Sequence, residues 1–311
     1  MESLKLSFQA VMPIFLLMLL GYCLKSFKIA DKKVFDGINK LVFKAFLPTL
    51  LFYDIYKTDT ADIFEPRLVT FAVAGILAIF ILGYGAVLLL SSDNSKRGVM
   101  LQGFFRSNYA ILGIPIVNFL CGRESGLAAL MVAIVIPIFN VLAVICLESF
   151  RGGRVGIKKL FYGIITNPLI IGCMLGAVFS GLKITLPEVI EKAVSDVSEI
   201  ASPLAIIVLG ASFTFLGAKT CKKELIITTA VKLIISPLIM LSAAALLGFR
   251  GESLACLLIV FGAPTAVSSF SMAQQMGGDE QLASSLVVMS TAGCLITLFL
   301  WIFALGSLGL V

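Results

Sequence analysis

Residues 68–90 read LVTFAVAGILAIFILGYGAVLLL, a run with no charged side chain. As a helix rising 1.5 Å per residue it exceeds the ~30 Å hydrocarbon core of a bilayer. Such runs fill the chain, which breaks at charged or turn-rich points into ten of them, near 9–25, 34–56, 68–90, 98–121, 126–147, 160–181, 195–217, 225–247, 253–276 and 282–306. Hydrophobic residues make up 59% of the 311 and charged ones only 14%, where a soluble domain carries about a quarter. A β-barrel would need ~10-residue alternating segments, and these runs do not alternate. The reading is an all-α polytopic membrane protein of ten transmembrane helices.

Several functions are excluded at this level. With no histidine, imidazole catalysis and histidine-held metal are out, and neither H-E-x-x-H nor paired membrane aspartates occur. No enzyme activity, metal or cofactor is expected. The seven cysteines lie scattered without a C-x-x-C pair and read as small packing residues. The first run, Gln9 to Leu24, has no small-x-small cleavage pattern after it and reads as a retained span. The net charge of +6 calls for no nucleic acid, because alternate loops divide the basic residues thirteen to seven. By the positive-inside rule the richer set is cytoplasmic, which puts both termini outside a multi-pass plasma-membrane protein.

The chain also resembles itself. Shifted by 155 residues, Pro13 falls on Pro168, Gly21 on Gly176, Lys28-Ile29 on Lys183-Ile184, Pro48 on Pro203 and Gly122 on Gly277. Five spans per half turn the second copy upside down. The expected organisation is a first five-helix repeat over 1–150 and an inverted second over 156–311, a pattern typical of secondary transporters.

Spans four and nine are equivalent under that shift, and both look broken. Span four holds Arg106-Ser107-Asn108 followed by Gly113-Ile114-Pro115. Span nine reads FGAPTAVSSFSMAQQMGG, with Gly262, Pro264, Thr265, Ser268 and Gln274. A mid-helix proline costs roughly 3 kcal/mol in a soluble helix, and freed backbone groups survive at membrane depth only against protein or a wet cavity. Matched interruptions therefore predict two unwound helices crossing at mid-membrane around Gly113, Pro115, Gly262 and Pro264. Their half-helix N-termini would face a shared anion site. The lone prolines Pro13, Pro48, Pro137, Pro168, Pro203 and Pro237 read as simple kinks.

Ionisable residues inside a membrane point to function. Arg106 is read as an anion contact, against a snorkelling side chain tied to loop carbonyls. Lys232 would balance a substrate carboxylate or neutralise a residue such as Asp54. Asn140 would join the site or make a helix–helix hydrogen bond, and Lys44 would snorkel to the cytoplasmic face. Asp54 and Glu148 sit at span ends, which leaves the coupling ion open between proton, sodium and none.

R-S-N-Y-A-I-L-G-I-P (106–115), G-A-P-T-A (262–266), M-A-Q-Q-M-G (272–277), AVKLIISPLIM (230–240) and KAFLPTLLF (44–52) make the chain resemble the auxin efflux carrier family. Bacterial members of that family are described as malate or other organic-acid permeases. The resemblance implies a scaffold part (helices 1, 2, 6 and 7) and an elevator-like transport part (helices 3–5 and 8–10). It implies that Asn108 and a counterpart near Pro264-Thr265 hold the substrate carboxylate. Ser107 stands where plant auxin exporters have proline, and the central loop from Glu148 to Lys159 is short, which argues against auxin itself. The expected substrate site is Arg106, Ser107, Asn108, Asn140, Lys232, Pro264, Thr265, Ser268 and Gln274. The expected partners are a small organic anion, H+ or Na+ as coupling ion and the bilayer, with a second copy of the chain left open. The competing reading is a sodium-coupled symporter of the bile-acid type.

Overall fold

A computed structural model describes residues 2–57, 65–122, 125–151 and 157–311. Residues 152–156 of the short central loop, and with them the expected boundary between the halves, lie outside the described residues. In lipid a backbone must satisfy its own hydrogen bonds, and the described chain does so with helices alone; no strand occurs among the described residues.

The elements run α1 Glu2–Ser26, α2 Lys32–Leu41, a π-helical turn Val42–Phe46, α3 Leu47–Lys57, α4 Pro66–Leu90, α5 Asn94–Phe105, α6 Tyr109–Cys121 and α7 Gly126–Phe150. Then come α8 Ile157–Ile165, α9 Pro168–Gly181, α10 Glu188–Ser212, α11 Phe215–Thr220, α12 Lys222–Ala230, a second π-helical turn Val231–Ile235, α13 Ser236–Leu246, α14 Gly251–Gly262, α15 Ser268–Met276 and α16 Glu280–Ser307. Each expected apolar run falls on one of these helices or on a consecutive pair. α4, α7, α10, the continuous stretch Lys222–Leu246 and α16 are each long and apolar enough to cross a membrane. The chain is an all-helical, polytopic membrane protein.

Starts and stops follow local chemistry. Asp31, Asp93, Ser125, Asn167 and Asp279 each accept a first-turn backbone N–H at 2.8–3.0 Å, satisfying donors that a helix start leaves unpaired. Of the prolines expected to kink, only Pro13, Pro137 and Pro203 lie inside a helix. Pro168 opens α9 behind its Asn167 cap, where a missing N–H costs nothing. Pro48 and Pro237 each follow a π-turn, in which Leu47 N–H reaches back to the Val42 carbonyl and Ser236 N–H to that of Val231. The chain widens by one residue just before each proline, which relieves its clash with the preceding turn.

The 155-residue offset reappears in the geometry. Among the described residues, Lys28 and Lys183 are the non-glycine residues with positive φ, at 56° and 52°. They end α1 and α9 alike, with Ile29 N–H on the Leu24 carbonyl at 3.0 Å and Ile184 N–H on that of Phe179 at 2.9 Å. Gly122 and Gly277 close α6 and α15 at φ 65° and 80°. Gly21 of α1 lies against the Ile207 carbonyl of α10, and Gly176 of α9 against the Phe52 carbonyl of α3; a Cβ at either would strike backbone. Small residues let membrane helices approach this closely. Thus α1 packs along α10, and α3 along α9 and α10, while α5, α6, α7, α14 and α15 pack among themselves and against α16.

Candidate functional site

Span four breaks at Arg106–Asn108 and span nine at Ala263–Val267. The two breaks meet. Asn108 N–H donates to the Pro264 carbonyl at 2.8 Å, Ser107 Oγ to the Ile259 carbonyl at 2.8 Å, and Thr265 N–H is held by Ser290 Oγ of α16 at 3.2 Å. One bond joins the two unwound segments directly, and α14 and α16 supply the other partners, which is how irregular backbone persists within an apolar protein interior.

Arg106 ends α5 and is only 3% exposed. It does not snorkel. Its Nη2 donates to Asn140 Oδ1 at 2.6 Å and Ser268 Oγ at 2.7 Å, and its Nη1 to Gln102 Oε1 at 3.0 Å and to Met272 Sδ. All four partners are uncharged. A buried guanidinium held only by dipoles keeps most of its charge uncompensated, which a bound anion would offset. Asn140 is itself fixed, since its Nδ2 donates to the Ile136 carbonyl at 2.9 Å one residue before Pro137. It lines the cavity and ties α7 to the end of α5 through Arg106.

Arg106, Ser107 and Asn108 line a cavity of about 60 Å³ together with Asn140, Ala266, Val267 and Ser268; apolar side chains of α3, α6, α7, α9 and α10 complete the wall, with Asp54 of α3 and Ser202 of α10. Asn108, the N-cap of α6, and Ser268, the first residue of α15, are both on its wall, so two positive helix ends lie beside it. Asn108 caps α6 without a side-chain cap bond, and its Nδ2 is buried with no partner among the described residues. An unpaired amide donor in such a place is costly unless a ligand takes it up.

The expected site therefore gathers in part. Arg106, Ser107, Asn108, Asn140 and Ser268 come together. Pro264 lies one layer behind, contributing its carbonyl. Thr265 is fully buried against α16, and Ala266 to Ser268 take the place on the wall expected of it. Lys232, also buried, donates to the Phe261 carbonyl at 3.4 Å; it meets the carbonyl end of α14 and does not line the cavity, nor is Asp54 its bonded partner. Gln274 is turned away, bonded to Asn39 and, at 2.9 Å, to Asp36 Oδ1. Gly262 ends α14 at the break as expected, whereas Gly113 and Pro115 lie within an unbroken α6. Gly113 makes room for the Tyr109 ring, and Pro115 removes a single helical donor. Sequence reasoning missed Asp54 on this wall, although Leu47, Leu50, Leu51 and Asp54 follow the i, i+3, i+4, i+7 spacing of one helical face.

A family model described as membrane transport protein matches residues 6–158 and 152–302, nearly the whole chain. The chain belongs to that family, the auxin efflux carriers. Among its relatives, an uncharacterized transporter of Methanothermobacter thermautotrophicus is 25% identical over 303 residues, covering 95% of this chain and 97% of the other. An uncharacterized transporter of Methanocaldococcus jannaschii is 26% identical over 94% and 96% of the two chains. A Rhizobium meliloti protein provisionally named a malonate transporter is 21% identical over 90% of each. In this membrane transport protein, then, the breaks of two helices meet beside a small cavity with a buried arginine on its wall.

Proposed function

We propose that this transporter is a carrier of small organic anions, working by alternating access, with the substrate carboxylate held by Arg106, Asn108, Ser268 and the N-termini of α6 and α15. The carrying observation is Arg106, buried at the crossing with uncharged partners only. Lys232 and Gln274 act in this reading by holding α14 and α15 in place. The halves are inverted five-helix copies, which the geometry recurring at 155 residues supports, and both termini lie outside the plasma membrane. Helices of the first two spans of each half form the scaffold against which the remainder moves.

Cavity size favours a compact cargo. About 60 Å³ holds on the order of four water molecules at 10–15 Å³ each, far below the several hundred Å³ of pockets for bulky amphipaths. That favours short carboxylates over the bile-acid class, and the provisional name of the Rhizobium meliloti relative makes malonate a natural member of the panel. The test is a thermal-shift screen of the purified protein with acetate, lactate, malonate, malate and taurocholate, followed by uptake into proteoliposomes. Saturable uptake of at least one short carboxylate is expected. Stabilisation by taurocholate alone, or uptake of no short acid, would defeat the reading.

A further inference from the structure

A broken membrane helix offers two kinds of end. Half-helix N-termini suit an anion, whereas half-helix C-termini and unwound carbonyls suit a cation. The N-terminal ends of α6 and α15 lie beside the cavity. The matching C-terminal ends belong to α5 and α14, and each is met by a buried basic side chain. Arg106 caps α5. At the end of α14, Lys232 Nζ donates to the Phe261 carbonyl at 3.4 Å, one residue before the helix stops at Gly262.

The position of Lys232 is built, not incidental. It lies in the second π-turn and is 1% exposed. Pro237 has no N–H to give the Leu233 carbonyl four residues earlier, and Trp301 Nε1 of α16 takes that carbonyl at 3.1 Å. The end of α14 lies against the same pair, for a Cβ on Gly262 would meet Pro237 and Trp301. The π-turn is thus fixed to α16 and to α14 together. Among the described residues the Phe261 carbonyl is the hydrogen-bond partner of Lys232, and no carboxylate pairs with it. An ammonium carries three donors, so a helix end is what balances this buried charge.

Resting on the anion-carrier reading above, we propose that the Lys232 ammonium is a tethered counter-cation. It fills, from within the chain, the place at the carbonyl end of α14 that a free alkali cation would take in a cation-coupled carrier. Its charge also helps to hold the anion on the other side of the second break. Phe261 precedes Pro264 by three residues, a stretch of at most about 10 Å, and the Pro264 carbonyl is bonded to Asn108 N–H. At such a range one unit charge alters the binding of another about tenfold at an effective dielectric of about 20. Lys232 is therefore a positioning residue with a charge-specific role. Replacing a buried charge by an apolar side chain of similar volume is neutral or stabilising, so removing this one weakens anion binding while the fold holds. A lysine that served packing alone would do the reverse.

The experiment uses the purified full-length protein, with radiolabelled acetate, lactate, malonate and malate as probes in proteoliposomes. Thermal unfolding with and without the carried acid reads stability and affinity together. Wild-type uptake is expected to stay within about twofold when sodium, potassium and lithium are all replaced by choline. Lys232→Met, uncharged and close to lysine in volume, should keep or raise the unfolding temperature and weaken acid binding about tenfold. Lys232→Ala leaves a space the length of n-propylammonium. That cation should bring acid binding back to within about threefold of wild type, and the uncharged n-propanol should not. Strict dependence of wild-type uptake on an alkali cation overturns the proposal. So does unchanged affinity in Lys232→Met, a lowered unfolding temperature or failure to fold in that variant, or rescue of Lys232→Ala by propanol as readily as by propylammonium, or by neither. If Lys232→Ala does not fold, the choline replacement and Lys232→Met decide the matter. Should none of the four acids enter wild-type vesicles in any salt, the anion-carrier reading fails first and this proposal with it; saturable uptake with full affinity in Lys232→Met sinks the tethered cation alone.

Discussion

The first broken helix unwinds over Arg106 to Asn108 and the second over Ala263 to Val267. Both second halves, α6 and α15, end on a left-handed glycine, 155 residues apart. Their chemistry is not shared out equally. The first break carries the guanidinium and the unpartnered Asn108 amide. The second offers acceptors and structural ties: the Pro264 carbonyl, Ser268 Oγ, and Thr265 pinned to α16. In the proposed carrier, a backbone feature that recurs at 155 residues need not be matched by its side chains, because the cargo it would hold is a single anion lying off any axis. One arm is free to specialise as donor and the other as support.

The largest effect should come from removing the charge. Arg106→Gln deletes the guanidinium on the cavity wall and leaves Asn140 Oδ1 and Ser268 Oγ without their donor. Transport is expected to fall about 100-fold, in line with the roughly 2–5 kcal/mol seen when a buried charge partner is truncated. Arg106→Lys should not rescue it, since a point charge cannot span four partners in a planar fork. Initial rates in proteoliposomes, on protein that still elutes as a single species, provide the check. A variant retaining a third of wild-type rate would move the site elsewhere.

Asn108→Ala separates binding from folding. The Asn108 Nδ2 has no partner among the described residues, so removing that donor should cost little stability and leave the unfolding temperature unchanged or higher. Affinity for the carried acid should weaken about tenfold, the equivalent of one charge-assisted hydrogen bond. Comparing thermal unfolding with and without the acid reads both quantities. A drop in intrinsic stability with unchanged affinity would make Asn108 a structural cap.

The sequence carried the position of these features along the chain but not their bearing. Hydropathy located every apolar run and both breaks, because a polar or proline-rich interruption in a lipid-facing run has to be covered by something. It could not say toward which neighbour a side chain turns. Asp54 looked terminal along the chain, yet it lies on the face of α3 that looks into the cavity. Gln274 looked central, yet its partners, Asp36 and Asn39, lie more than 230 residues away in sequence. Pro115 looked like a break because proline usually is one in water. In α6 the chain had already unwound three residues before the helix resumed at Tyr109, and the loss of one donor further on is absorbed.

A smaller difference separates the two helix starts. α5 begins behind Asp93, whose carboxylate accepts Ser95 N–H at 2.9 Å and Ser95 Oγ–H at 2.7 Å; α14 begins behind Arg250 with no side-chain cap bond. The Ser95 hydroxyl and amide hold the Asp93 carboxyl below its usual range. A depressed carboxyl stabilises the fold above its unfolded value and loses that contribution as pH falls through the folded one. Asp93→Ala should therefore cost about 0.5 kcal/mol at neutral pH, the low end for a solvated cap. The two unfolding temperatures should converge as pH drops below the ordinary aspartate value of about 4. A gap that widens in acid would contradict the cap assignment.

The least effect is expected at Thr265, and it is the sharpest test of the asymmetry. If the two arms were chemically equivalent, Thr265 would be to the second break what Asn108 is to the first, and Thr265→Val would weaken binding about as much. The geometry argues otherwise. Thr265 is held through its backbone N–H, which a substitution to valine leaves intact, while its buried Oγ1 has no partner among the described residues. Replacing an unsatisfied hydroxyl by a methyl of similar size should be neutral or stabilising by up to about 1 kcal/mol, with transport within about twofold of wild type. A tenfold loss would mean that the second arm contacts the anion directly, through a side chain that must first turn from α16 toward the cavity.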